Sequence, residues 1–316
     1  MLTVLLATRN RAQILSEVLE AYCRLQAPAS GWKLVVVDNG STDESPEVVA
    51  RFAARLSLAS IREPKSGKNA ALNAGIQLAE GDLVVLTDDD AFPAVDWLVQ
   101  LRNAADEQPA YAIFGGVVTP RWEISPPAWI RWVDAGPVFT VTDPSLREGP
   151  IEPHHVFGPN MAVRTAVFQA GTKFDTGIGP SGKSYAMGSE TELVLRLASQ
   201  GCKAWHVQKA VVEHYIRKEQ LQKSWVRGRG IRFGRGQYRL YGSERNANAI
   251  KWNGVPLHLV RRALKQAVLG LAPFFGREAQ FRALWRRNVF LGEIREARKL
   301  QQERAPGRSA LPLASR

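Results

Sequence analysis

"LVVLTDDDAFPAVDW", residues 83–97, sets three consecutive aspartates, Asp88, Asp89 and Asp90, directly after a run of apolar, β-prone residues. Adjacent carboxylates repel one another, so a site that keeps all three ionised calls for a cation or a phosphate-bound metal beside it. What surrounds the stretch decides the fold. "LTVLLA" (2–7), "KLVVVD" (33–38), "ASIR" (59–62) and "LVVL" (83–86) read as strands. Between them run helical patterns: Ile14, Leu15, Val18, Leu19, Tyr22 and Leu25 on one face, then Val48, Val49, Phe52 and Leu56, then the small-residue stretch "KNAALNAGIQLAE" (68–80). Continuous apolar strands separated by helices predict an α/β fold whose mostly parallel central sheet is covered on both faces. Ligands of such sheets gather beyond the carboxyl ends of the strands. Asp38 and the Asp88–Asp90 run both stand there, which places them in one site.

The pattern continues with a helix marked by Trp97, Leu98 and Leu101 and a strand in "YAIFGGVVT" (111–119). From Pro120 to Pro153 the chain turns Pro- and Trp-rich, which predicts an irregular loop over a cleft, with Trp122, Trp129 and Trp132 either stacking on an acceptor or, the favoured reading, filling the loop's own small core. "HVFGPNMAVR" (155–164) reads as strand, and "AWHVQKAVVEHYI" (204–216) as one or two more. Between them, "GPSGKSYAMGSETELVLRLASQG" (179–201) is a glycine-rich approach to a helix with Leu193, Val194 and Leu197 inward and Glu190 in its first turn. A carboxylate at a helix N-terminus is stabilised as an anion.

At 316 residues, with 45% hydrophobic and 23% charged residues, the chain can bury a large core. Cys23 and Cys202 match no metal-ligand spacing and make no disulfide framework, which fits a reducing, cytoplasmic setting. The apolar start lacks a basic leader and a small-residue cleavage site, so it reads as a buried first strand. No stretch reaches the ~20 apolar residues of a membrane-spanning helix. The net charge of +12 is unevenly placed: residues 1–215 hold 19 Lys and Arg against 24 Asp and Glu, residues 216–316 hold 23 against 6. A basic end of this kind is expected to meet something anionic.

Aspartates behind a buried strand suit Mg²⁺ or Mn²⁺, which take one or two carboxylates and leave their other positions to substrate phosphates. "EPKSGKNAALNAG" lacks the paired glycines and the Lys-Ser/Thr ending of a phosphate loop, but Lys68 starts a helix from which it can reach a diphosphate. A phosphatase would carry its aspartates after the first strand, not the fourth.

Taken in order, "VLLATRNR", "LVVVDNGSTDES", "GKNAALNAGI", "LTDDDAFPAVDWL", "GPNMAVR" and "GSETELVLRL" resemble the family 2 glycosyltransferases over residues 1–240. The resemblance implies the Rossmann-like GT-A fold, with a nucleotide-sugar-binding half near 1–119 and an acceptor-binding half at 120–240. It implies inverting transfer from a nucleotide diphosphate sugar, with UDP the expected nucleotide, to an acceptor hydroxyl of a glycan or lipid-linked glycan, with a divalent cation. Carried over, Asp38 would meet the base, with Thr8 and Arg9 beside it. Asp88, Asp89 and Lys68 would meet ribose or diphosphate, and Asp90, with Asp88, the metal. Glu190 would stand where relatives usually have an aspartate as general base, with Glu192 its rival, and His214 where relatives often bring a histidine towards the metal.

Beyond the resemblance, residues 241–300 predict a basic helical extension and 301–316 a disordered tail. Leu257, Val260, Leu264, Val268 and Leu271 form one stripe, and Phe281, Leu284, Trp285 and Val289 another, each beside arginines. Such helices either lie on an anionic membrane or pack on the catalytic domain. A peripheral protein at the cytoplasmic face of the cell membrane is therefore expected, drawn there by about 1 kcal/mol per well-placed Lys or Arg. Two other classes compete. A nucleotidyltransferase of related fold would want a basic loop in the first βα turn and gives Glu190 no role. A non-enzymatic binder of anionic polymers would use the basic helices and leave the aspartates unexplained, so no nucleic-acid partner is expected.

Overall fold

The computed structural model describes residues 1–182 and 184–304. They form two compact units, the first comprising Met1–Pro127, Asp134–Lys183 and Ser189–Leu221, the second Ala128–Val133, Ser184–Gly188 and the chain from Gln222 onward.

In the first unit β1 (Leu2–Thr8), α1 (Ala12–Tyr22), β2 (Trp32–Asp38), α2 (Ser45–Phe52), β3 (Leu58–Arg62), α3 (Lys68–Ile76) and β4 (Leu83–Leu86) alternate as the apolar pattern predicts. After them come β5 (Ala91–Pro93), α4 (Trp97–Glu107), β6 (Ile113–Trp122), α5 (Ala135–Phe139), β7 (Gly149–Ile151), β8 (Met161–Arg164), α6 (Thr165–Gln169), α7 (Ser189–Ser199) and β9 (Ala204–Ile216). The strands join in one sheet of order β3-β2-β1-β4-β8-β6-β9-β5, with β7 also on β9. β1 pairs in parallel with β2 and β4, β2 with β3, and β6 with β9. The antiparallel pairings, made by β8, β5 and β7, span three or four residues each.

Alternate residues of the first strands feed two cores. Leu2, Val4 and Leu6 pack with α1, α2 and α4 on one face, and Leu5, Val35 and Val37 with α3 and α7 on the other. A strand covered on both faces favours apolar residues throughout, which is why these runs are almost continuously apolar; buried Thr3 satisfies its hydroxyl on the Glu80 backbone. α3 lies so close that a Cβ on Gly75 would sit 2.3 Å from a Leu5 methyl.

Two readings of the sequence change. In "HVFGPNMAVR" only Met161–Arg164 is strand; Gly158–Asn160 is a 3₁₀ turn, because Pro159 has no N–H for a ladder and buried Asn160 takes over as a bridging side chain. Its amide donates to Val117 and Ala210 carbonyls, and its carbonyl accepts from the Trp97 indole. "AWHVQKAVVEHYI" is one 13-residue strand whose register shifts opposite Gly116 and Val117.

The second unit holds α8 (Lys223–Arg245), a two-stranded ribbon of β10 (Lys251–Trp252) and β11 (Val255–Pro256), α9 (Leu257–Leu271) and α10 (Arg277–Arg304). The glycines of "WVRGRGIRFGRG" lie inside α8, where a Cβ on Gly234 would stand 1.9 Å from the Val289 carbonyl oxygen. Gly230 and Gly234 let α10 approach α8, and Gly236 lies against the Met187 backbone, a packing role that outweighs glycine's poor helix propensity. Trp129 and Trp132 pack on Phe281 of α10, at 5.3 and 6.1 Å between ring centroids, with Lys223 over both, so they do not form a core of their own loop. α10 runs to Arg304; the rest of the expected tail, 305–316, lies outside the described residues. Among the described residues no helix is long and apolar enough to cross a membrane.

Candidate active site

The three aspartates leave β4 in a turn, closed by the Ala91 N–H donating to the Asp88 carbonyl, and each finds a different partner. Lys68, first residue of α3, donates to Asp88 and, at 2.7 Å, to Glu190 of α7. The Thr8 hydroxyl, at the end of β1, donates to Asp89 at 2.7 Å. Arg11, in the turn after β1, reaches Asp90 at 3.2 Å.

This division answers the repulsion that the sequence poses. Burial works to raise the Asp88 carboxyl, but Lys68 outweighs it and holds the group below the usual carboxylate range. Burial works against the Lys68 charge, and Asp88 and Glu190 more than restore it. Burial likewise opposes the Arg11 charge, and Asp89, Asp90 and Asp88 together raise its pKa. The partner of Asp89, the Thr8 hydroxyl, is neutral. Burial first, and then the Asp90 charge, push the Asp89 carboxyl up to about 7. The folded protein therefore binds that proton more tightly than the unfolded chain. In the absence of metal this contribution to stability is present at acid pH and is lost as pH rises through about 4 towards 7. Asp89→Asn is expected to raise the thermal midpoint in EDTA at pH 8, by on the order of 2–4 kcal/mol in stability, and much less at pH 4.5. Equal shifts at both pH values would assign the effect to packing.

Neighbouring elements set these positions. The Asn39 side chain donates to the Glu63 and Lys65 carbonyls and accepts from the Gly67 N–H, clamping the turn from which Lys68 emerges. Gly67 itself has φ 128°, a conformation costly for any side chain. Asp38 stands beside Thr8 in the parallel register of β2 and β1. Its Oδ1 accepts the Ser41 N–H, while buried Oδ2 has no hydrogen-bond donor among the described residues and faces the Arg62 guanidinium at 3.7 Å. That oxygen is an acceptor held ready for a ligand N–H.

Glu190 lies over Gly158, where a Cβ would fall 2.6 Å from the carboxyl group. Gly158→Ala is expected to leave the thermal midpoint nearly unchanged, because a flexible side chain can yield, and to lower turnover by about 10–100-fold through the displaced carboxylate. Unchanged kcat with a normal fold would show that Glu190's position does not matter.

His214 pairs with Ala91 across β9 and β5. Its Nδ1 lies 2.6 Å from the Phe139 carbonyl, which only accepts, so that nitrogen carries the proton. In the neutral ring, Nε2 then turns a lone pair to Asp90 Oδ1 at 3.6 Å. Two acceptors facing each other at that distance suit a hard cation between them, and the carbonyl behind the ring is the support that metal-binding histidines have. Among the described residues no group of three or more His, Cys, Asp or Glu is placed to hold a metal ion. The donor set fits a cation that takes its other ligands from a diphosphate and water.

The structure thus brings together Thr8, Lys68, Asp88, Asp89, Asp90, Glu190 and His214, with Asp38 one strand away. Arg9 stands apart from the aspartates, its guanidinium on the Ser66 hydroxyl at 2.9 Å. Glu192 is held by Arg196 at 2.7 and 3.0 Å. Sequence reasoning missed Arg11, although it ends the quoted "VLLATRNR", and it missed the service of Gly158 to Glu190.

Among known proteins, the glucosyl-dolichyl phosphate glucuronosyltransferase of Haloferax volcanii is 24% identical over 160 residues, covering 48% of this chain and 49% of that one. The beta-monoglucosyldiacylglycerol synthase of Nostoc sp. is 25% identical over 103 residues, 31% of this chain and 22% of its own. The match spans about half, or less, of the length of these relatives. Two solved structures share the fold. The mannosyltransferase PcManGT from Pyrobaculum calidifontis, in complex with GDP-Man and Mn²⁺, has a TM-score of 0.59 at 19% identity, over 93% of this chain and 86% of that one. TarS 1–349 of S. aureus, in complex with UDP-GlcNAc, has 0.55 at 14%, over 92% and 90%. Residues 3–171, more than half of the chain and carrying every strand end that bears an aspartate of the site, match the family described as glycosyl transferase family 2, and to that family the chain belongs.

Proposed function

We propose that the protein transfers a sugar from a nucleotide diphosphate sugar, a UDP-sugar in the first instance, to an acceptor hydroxyl with inversion at the anomeric carbon. The observation that carries this reading is the bridge of Lys68 between Asp88 and Glu190, which sets a carboxylate on α7 within one side chain of the aspartate turn. The free Asp38 Oδ2 would accept a base N–H, and Asp88 and Lys68 would meet ribose and diphosphate. Asp90 and His214 would hold the divalent cation, which supplies neutralisation of charge on the departing diphosphate. Glu190 would take the proton of the acceptor hydroxyl as its oxygen bonds to the anomeric carbon and the bond to the diphosphate oxygen breaks.

The names of the relatives support lipid-linked acceptors, and the basic second unit supports peripheral work at the cytoplasmic face of a membrane. The test is nucleotide release from UDP-, GDP- and dTDP-sugars with Mn²⁺ or EDTA, in the presence of prenyl-phosphate-linked and diacylglycerol acceptors. Metal-dependent release from one donor, with an inverted linkage in the product, is expected. A retained configuration would overturn the direct displacement, and release of sugar 1-phosphate with the nucleoside monophosphate joined to the acceptor would point to nucleotidyl transfer.

A further inference from the structure

The two basic amphipathic stripes of the second unit are packed in opposite ways. On α10 the stripe is covered: Phe281 is 6% exposed against Trp129 and Trp132, Leu284 meets Gly270 of α9, and Trp285 meets Gly230 of α8. On α9 the inward face is Leu259, Ala263 and Gly270, and the sequence stripe faces out. Val260, Leu264, Val268 and Leu271 are 36%, 63%, 68% and 76% exposed, and at 3.6 residues per turn they share an arc of about 80°. The next part of the exposed surface holds Arg261, Lys265 and Arg262, and α9 contains no acidic residue. Just past its end Phe274 is 82% and Phe275 38% exposed, followed by Arg277.

Single exposed apolar side chains are ordinary, but six on one helix face and its following turn need an occupant. A second copy of the chain would bring the same cations against themselves. An anionic bilayer matches both halves of the surface: its hydrocarbon takes the apolar stripe, and its phosphates take Arg261 and Lys265, which follow the stripe round the helix. We infer that α9 and the turn after it form an interfacial anchor that lies flat in the headgroup layer of an anionic membrane, with α10 serving as its internal support. The inference rests on the membrane location proposed above and names the surface that produces it; it is independent of the sugar chemistry.

Flotation of the full chain with vesicles of phosphatidylcholine, alone or with roughly 30% phosphatidylglycerol, tests it. Binding to the anionic vesicles is expected, falling at least about ten-fold in Leu264→Asp/Val268→Asp and by a similar factor in Arg261→Glu/Lys265→Glu. All four positions are exposed, so circular dichroism should show unchanged folding. Absence of wild-type binding, flotation of the double-aspartate variant as wild type, or a wild-type dimer that this variant dissociates would overturn it. Mn²⁺-dependent binding of UDP or GDP, measured on the same preparations, separates the two readings. Nucleotide binding without flotation overturns the anchor alone, and flotation without nucleotide binding upholds the anchor and overturns the site.

Discussion

Glu190→Gln is expected to lower glycosyl transfer by about 10³-fold while leaving nucleotide affinity within a few-fold of wild type. General-base catalysis typically contributes 10²–10⁴-fold, and glutamine keeps the shape of the side chain but cannot take the proton. Lys68 still has Asp88, so the turn that would hold the donor keeps its cation. Single-turnover transfer and equilibrium nucleotide binding, measured side by side, give the two numbers. Transfer near the wild-type rate would remove Glu190 from the chemistry. Glu192 would not be the natural replacement, since Arg196 holds both its oxygens.

Asp90→Ala is expected to lose 10²–10³-fold in turnover and to require much more Mn²⁺ for half-maximal rate. The substitution removes the carboxylate that faces His214 Nε2 and leaves the Arg11 guanidinium without its partner, so a positive charge stands where a cation is proposed to bind. Preorganised charge at a leaving group is worth this order of rate. Asp90→Asn, which keeps side-chain volume, guards against a folding artefact and should show most of the same loss. A variant with normal activity and an unchanged Mn²⁺ requirement would refute the assignment of Asp90 as a ligand.

The strands β1, β2 and β4 were legible because burial on both faces makes them almost continuously apolar, and their carboxyl ends place Asp38 and Asp88–Asp90 by topology alone. A carboxylate in the first turn of α7 was legible from its apolar stripe, but Glu192 shares that turn, and it was the family resemblance that pointed to Glu190. Arg11 was not legible, because its partner lies 79 residues away and one arginine in a turn carries no pattern. Gly158 and Asn160 were hidden for the same cause, since "GPN" reads as part of a strand until the carboxylate above the glycine is seen. In the second unit, Gly230 and Gly234 of α8 carry no pattern that announces their service, the approach of α10. The stripes of α9 and α10 look alike in sequence. Which of them is covered depends on Trp129, Trp132 and the glycines of α8, more than 40 residues distant in the chain.

The central claim is that the ends of β1, β2 and β4 form a metal-dependent site for a nucleotide diphosphate. Calorimetric titration of UDP and GDP into the wild-type protein, in Mn²⁺ and then in EDTA, tests it without any acceptor. The account predicts binding of one nucleotide in Mn²⁺, weakened at least about ten-fold by EDTA and by Asp90→Ala alike. Absence of binding in Mn²⁺, or binding indifferent to both EDTA and Asp90→Ala, would contradict it.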